Sequence, residues 1–315
     1  MRGNLRWIAL AALLGTAAAS ASAPSPARGQ TTGGTAAPDS VDWRAVDAAL
    51  GRTGTAMPGG VRRWAMPRGD LAVTSRGVRV RPALALGSWI AMRPAGGGRV
   101  VAMGDLVLAE AEMGPVISRL QQGGVGQTAI HKHLLDESPA VWWTHVHAAG
   151  DPVAVAGAVR AALALTRTPP ERPAASAPAE PFPLDSAAIR RVLGHGGRVS
   201  GGVYQVSVPR AETIRSHGVE VPPSMGVATA INFQPTGGGR AAVAGDFVMT
   251  ADEVDPVIRA LREHGIQVVA LHNHLTDESP RLFFMHFWAV DDAAALARGL
   301  RAALDRTRSA PVESR

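Results

Sequence analysis

Seven of the ten histidines fall in two short blocks, one holding His131, His133, His145 and His147 and the other His272, His274 and His286. A neutral imidazole is a good donor to a divalent transition metal, so the spacing within each block is the first thing to weigh. On a strand, residues i and i+2 share a face, which sets His272 and His274 roughly 6.6 Å apart on one side. A turn centred near Ser279 would bring His286 opposite His272 on the next strand, with Cβ atoms about 5 Å apart. Three imidazoles then converge on one point, leaving positions for water or a substrate, and zinc is the first choice of metal. The same reasoning applies to His131, His133 and His145, so the expectation is one metal site per block. Glu278, or Asp277 beside it, and Glu137, or Asp136 beside it, stand in the turns as possible oxygen ligands. Glu137 and Glu278 are also the candidate general acid/base groups, acting on a metal-bound water whose pKa falls toward about 7.

A lone His-x-His pair would be read as core histidines with hydrogen-bond partners, and Asp-Glu-Ser-Pro is ordinary turn chemistry. Three histidines at one spacing, present twice, shift the balance, because buried imidazoles without partners cost desolvation energy. Bound metal should leave as pH falls below about 6, where free imidazole protonates. The other candidates carry less. His147 has Trp288 as its counterpart, while His195, His217 and His264 stand alone and read as solvent-facing. Asp105 and Asp246 each follow a glycine and read as turn residues at a strand start. The Gly96-Gly97-Gly98 and Gly237-Gly238-Gly239 runs lack the signature of a phosphate loop and read as hairpin turns. Trp142-Trp143 reads as core packing.

What must position these side chains is a duplicated domain. A shift of 141 residues lays Gly104-Asp105 on Gly245-Asp246, Pro115 on Pro256, and the first histidine block on the second without a gap. Upstream, Gly59-Gly60-Val61 and Pro67-Arg68 meet Gly201-Gly202-Val203 and Pro209-Arg210 after a one-residue change of register. Each copy opens with a helix, 39–50 and 185–193, introduced by an Asp-Ser pair. In the second copy, β-rich runs at 203–208, 226–233 and 240–250 lead to a helix that Thr250 and Glu253 would cap and Gly265 would stop. The first copy has Ala109 at the cap, so its helix should start more weakly. Strands at 266–275 and 282–290 and a closing helix at 291–306 complete the copy. The fold class is α+β: two tandem copies of an antiparallel sheet packed with helices, related by a pseudo-twofold and packed face to face or side by side. The expected domains are 39–168 and 184–308, joined by a Pro-rich linker over 169–183.

Residues 1–30 have a basic start, a short apolar stretch and small-x-small sites, which is the pattern of a secretory signal peptide. The expected location is therefore the periplasm or the cell exterior, and no segment is apolar for long enough to span a membrane. The absence of cysteine excludes disulfides, thiolate metal sites, thiol nucleophiles and a lipid anchor on cysteine. The net charge of +6 is almost all arginine, with Lys132 the one lysine, and is scattered rather than clustered. No nucleic-acid partner is expected. The partner would be a small molecule or an envelope component.

The stretch from Gly245-Asp246-Phe247-Val248 through Ala270-Leu271-His272-Asn273-His274-Leu275 to Glu278-Ser279-Pro280-Arg281-Leu282-Phe283-Phe284-Met285-His286-Phe287-Trp288 resembles the LppY/LpqO family of bacterial envelope proteins. The resemblance extends over nearly the whole chain after the signal segment, as two copies. It implies kinship and an envelope location, and leaves the reaction open. His272, His274 and Glu278 also match the His-x-His and Glu part of the cupin motif locally. A histidine soon after a His-x-His pair is similar to acetolactate decarboxylase-like zinc enzymes. Beside a metal-binding protein, the alternatives are a non-catalytic binding module using the histidine face and a zinc-dependent lyase or hydrolase. A duplicated structural domain without a small ligand is the third.

Overall fold

The computed structural model describes residues 40–171 and 181–311; the expected signal peptide and residues 172–180 of the expected linker lie outside them. The first copy runs α1 (Trp43–Leu50), β1 (Thr55–Met57), β2 (Val61–Pro67), β3 (Thr74–Ser75), β4 (Val78–Arg79), α2 (Pro82–Ala85), β5 (Gly87–Gly96), β6 (Arg99–Ala109), α3 (Glu110–Gln122), β7 (Gly126–His131), β8 (Glu137–Ser138), β9 (Val141–Gly150) and α4 (Pro152–Leu163). The second runs α5 (Ser186–Leu193), β10 (Gly197–Ser200), β11 (Val203–Pro209), β12 (Arg215–Ser216), β13 (Val219–Glu220), β14 (Ala228–Gly237), β15 (Arg240–Met249), α6 (Val254–Glu263), β16 (Gln267–His272), β17 (Phe283–Asp292) and α7 (Ala293–Leu304). Each copy builds a six-stranded antiparallel sheet in the same order, β1-β2-β5-β6-β9-β7 and β10-β11-β14-β15-β17-β16. The α+β class and the tandem pair are as the sequence indicates. The glycine runs do form the β5–β6 and β14–β15 hairpins, with all six glycines at positive φ.

The central strands β6 and β15 are apolar at nearly every position because both of their faces are covered. One face of the first sheet packs Trp64, Ile90 and Leu106 against α1, α3 and α4. One face of the second packs Phe233, Phe247 and Phe287 against α5, α6 and α7. The remaining two faces meet each other: Trp143 and Val107 share a buried cluster with Val203, Ala244 and Trp288, and Ala91 and Met103 share another with Met225 and Phe284. The order is therefore helix, sheet, sheet, helix, with a layer between the sheets drawn from both copies.

One local expectation is corrected. Helix α1 begins after Asp42, whose carboxylate accepts from the Arg44 and Ala45 N–H groups, so Asp42 and not the Asp39-Ser40 pair is its cap. In the first copy α3 begins directly after Ala109 and is the longer helix, 13 residues against 10 for α6, which begins only at Val254. The glutamate, not the hydroxyl, holds both starts: Glu112 accepts from Ala109 N and Glu253 from Thr250 N. Each also pairs with a buried arginine, Arg68 or Arg210, which donates in turn to the strand carbonyl of Val107 or Val248.

Candidate metal centre between the repeats

The side chains that face the sheet-to-sheet layer are fixed by pairing. His145 on β9 lies directly across from Asp105 on β6 and from Ala129 on β7; His286 on β17 lies across from Asp246 on β15 and from Ala270 on β16. The expected pairing of His286 with His272 is corrected: the hairpin is centred on Glu278, so Phe284 stands opposite His272 and Ala270 opposite His286, and a bulge between Val268 and Ala270 shifts the pairing only farther from the turn. His272 ends β16 and His274 lies beyond it, so the two rings reach the layer from strand end and loop. Asp105 and Asp246 are not turn residues at strand starts. Each sits inside its strand, buried, beside a histidine.

All six predicted histidines converge, but on one place. The His131 and His272 rings stack at 3.8 Å between centroids. Across the copies, His133 stacks on His286 at 3.5 Å and His145 meets His274 at 3.7 Å. Within the copies, His131–His145 and His272–His286 are both 4.7 Å. Equivalent pairs have nearly equal separations, so a pseudo-twofold axis passes through the cluster. The two histidine blocks therefore form one cluster, because the histidine faces are the faces that the sheets turn toward each other.

Three donor sets lie within it, each with its atoms within 4.8 Å of one another: His131, His145, His272 and His286; Asp105, His133 and His145; Asp246, His272 and His274. A tetrahedral zinc ion with bonds of about 2.0–2.1 Å keeps its nitrogens roughly 3.4 Å apart. The Nε2 atoms of His131 and His145 are 3.3 Å apart. His286 donates from Nδ1 to the Gly245 carbonyl at 2.9 Å, which leaves its Nε2 lone pair facing the centre. Gly245 must be glycine here, since a Cβ would fall 1.9 Å from the Ala230 carbonyl oxygen. Asp246 takes 3.2 Å from His274 Nε2 and lies 3.6 Å from His272 Nε2 and 3.9 Å from His286 Nε2. Asp105 is 3.8 Å from both His133 and His145.

The surroundings of five of the rings disfavour their protonated form. Burial, and then neighbouring imidazoles, push His131, His133 and His145 well below the ordinary histidine range. Burial lowers His274 too, against the pull of Asp246. His286 falls to about 3, burial outweighing the attraction of Asp246. Burial, followed by the like charge of Asp246, raises Asp105. Burial would raise Asp246 as well, but His286 and His272 outweigh it and hold that carboxyl low. Several buried atoms lack any hydrogen-bond partner: Nδ1 of His131 and His145, Nε2 of His133, His272 and His286, and Oδ1 of both aspartates. Such groups are costly unless something binds them.

The turn acids are spent elsewhere. Glu137 lies 2.5 Å from Lys132 Nζ, and Glu278 accepts from the Leu282 N–H at 3.0 Å and from Arg281 at 3.4 Å. Asp136 pairs with Arg76 at the surface, and Asp277 accepts from Ser216 and His217. None of these four is among the converging groups. The carboxylates that are, Asp105 and Asp246, carried a signal in the sequence: Gly-Asp recurs under the 141-residue shift, in an apolar run where a buried charge needs a partner. His217 is not solitary either, since its ring stacks on His147 at 4.6 Å. Trp143 is buried as expected, and its indole stacks on His133 at 4.4 Å.

Part of the cluster, Asp105, His133, His145, Asp246, His274 and His286, lines a cleft of about 770 Å³ between the copies, together with Arg63, Trp89, Gln205 and Asn232. Among the described residues, no helix is long and apolar enough to cross a membrane. No curated protein matches the chain. A crystal structure of a trimeric bacterial microcompartment shell protein, PduB, aligns over 80% of this chain and 89% of that one at 12% identity and a TM-score of 0.22, too loose a superposition to indicate a shared fold. The sequence profile described as Domain of Unknown Function (DUF1259) matches twice, over 44–165 and over 187–306, and this chain belongs to that family as a tandem pair.

Proposed function

We propose that the protein is an exported envelope protein of LppY/LpqO type that holds a divalent transition metal, zinc by first choice, between its two repeats. The observation that carries this reading is the set of four histidines, His131, His145, His272 and His286, two from each copy, buried or half-buried, each offering a ring nitrogen within 4.8 Å of the others. His133 and His274 stand beside Asp105 and Asp246 as further donors or as partners that orient the ligating rings. The cleft gives a small molecule access to the ion. The signal peptide over 1–30 and delivery to the periplasm or exterior belong to the same proposal, resting on the sequence pattern.

Metal analysis of the untagged chain tests it. About one equivalent of divalent metal per chain is expected, lost completely in His131→Ala and equally in His272→Ala. Two independent sites would instead each lose half. Metal-free protein whose melting temperature does not move on zinc addition overturns the reading.

A further inference from the structure

Arg63 is a charge without an evident use. It sits on β2 facing the sheet-to-sheet layer, and its Cζ lies 4.0 Å from the centroid of the Trp89 ring. Its one hydrogen bond goes to the Ser224 carbonyl at 3.2 Å. The position that pairing makes equivalent in the second copy is Gln205: Arg63 stands across from Ala91, and Gln205 across from Asn232. Gln205 donates to the Ala83 carbonyl at 2.9 Å, the counterpart of the Arg63 contact. A neutral amide thus makes the same link between copies, and the guanidinium charge is surplus to it. No carboxylate among the described residues comes within ion-pair distance of Arg63. Burial, against the attraction of Asp105, lowers it to about 10, so it remains charged at neutral pH.

Its surroundings break the pseudo-twofold in the same place. Trp89, which carries the guanidinium, has Ala230 as its counterpart across the second sheet. The far edge of the Trp89 indole lies 2.7 Å from where a Cβ on Gly226 would stand, and His274 Cε1 lies 3.9 Å from that same point. The arginine is therefore one indole away from the histidine cluster, in the same cleft, with the exposed Arg198 as a second cation along its wall.

We infer that the cleft binds a small ligand bearing a carboxylate or phosphate group, with Arg63 receiving the oxyanion and the ligand's other end directed at the inter-repeat centre. The inference rests on the metal reading for the second contact only. The planar guanidinium offers parallel N–H donors to two oxygens of one group, and stacking on Trp89 fixes its plane. Gln205 and Asn232 supply neutral hydrogen-bonding groups on the opposite wall, where Arg198 stands across from Gln205, so that Trp89-stacked Arg63 is the buried cation of the cleft and Arg198 an exposed one.

Calorimetric titration of the full chain with inorganic phosphate, and separately with malonate, tests this, with metal content measured on the same preparations. Arg63→Gln copies the second repeat and should keep the Ser224 contact, the melting temperature and the metal. At least one anion should bind the wild type, and Arg63→Gln should weaken it about tenfold or more. Arg63→Lys, which keeps the charge and loses the fork, should fall between. Preference for phosphate or for malonate identifies which oxyanion the ligand carries. Equal affinity in wild type and Arg63→Gln, or no binding of either anion, overturns the inference. Metal bound with Arg63-independent titrations leaves the metal reading standing alone; Arg63-dependent titrations without metal do the reverse.

Discussion

A histidine that stays neutral in the fold links stability to pH with a definite sign. Unfolded histidine titrates near 6.5, while His286 is held at about 3 and His133, His145 and His274 are also lowered. Between those values the unfolded chain binds protons that the folded chain refuses. Stability should therefore fall as pH drops below about 6.5, by about 1.4 kcal/mol per pH unit for each such histidine. Chemical denaturation of the metal-free protein should show a clearly lower midpoint at about pH 5 than at about pH 7.5; equal midpoints would count against buried neutral rings. The histidines were legible in the sequence because their spacing repeats. Asp105 and Asp246 were harder to see, since Gly-Asp is also turn chemistry and only strand pairing places each carboxylate beside a ring. Glu137 and Glu278 looked equally suited, yet a residue at a hairpin apex finds its nearest donors in the turn itself.

At the scale of elements, each copy locks a strand to a helix start through one buried arginine. Arg210 joins Glu212, Glu253 and the Val248 carbonyl, and Arg68 joins Asp70, Glu112 and the Val107 carbonyl. Removing one partner strands the others, so Arg210→Ala should cost about 3–5 kcal/mol in denaturant unfolding. Gly245→Ala should also destabilise, on the order of 1–3 kcal/mol, because its Cβ would meet the Ala230 carbonyl and push β14 from β15. It should weaken metal retention as well, since the Gly245 carbonyl orients His286. Element types were readable from apolar periodicity and from glycine runs. The register of the last hairpin was not, because Asp277-Glu278-Ser279-Pro280 suits a turn centred on Glu278 as well as one on Ser279, and moving the centre by one residue moves each cross-strand partner by two.

For the whole molecule, the duplication was plain in the sequence, but which faces would meet was not. The clue lay in β6 and β15, apolar at almost every position, which marks strands covered on both sides. With helices on one side, the other side of each sheet had to be closed by its twin. A metal bridging the halves should then stabilise the entire fold. Saturating zinc at about a hundred times its dissociation constant should add about 2.7 kcal/mol, and chelation should remove it in a single cooperative transition. Two separate melting steps, only one of them sensitive to zinc, would contradict a shared centre.

The difference between Arg63 and Gln205 has a consequence for how such a cleft can arise. Two identical chains meeting about a true twofold axis must present the same side chain at both equivalent positions. They offer two arginines or two glutamines, never one of each. Joining the copies in one polypeptide removes that constraint, and a ligand with unlike ends can then be received in one orientation only.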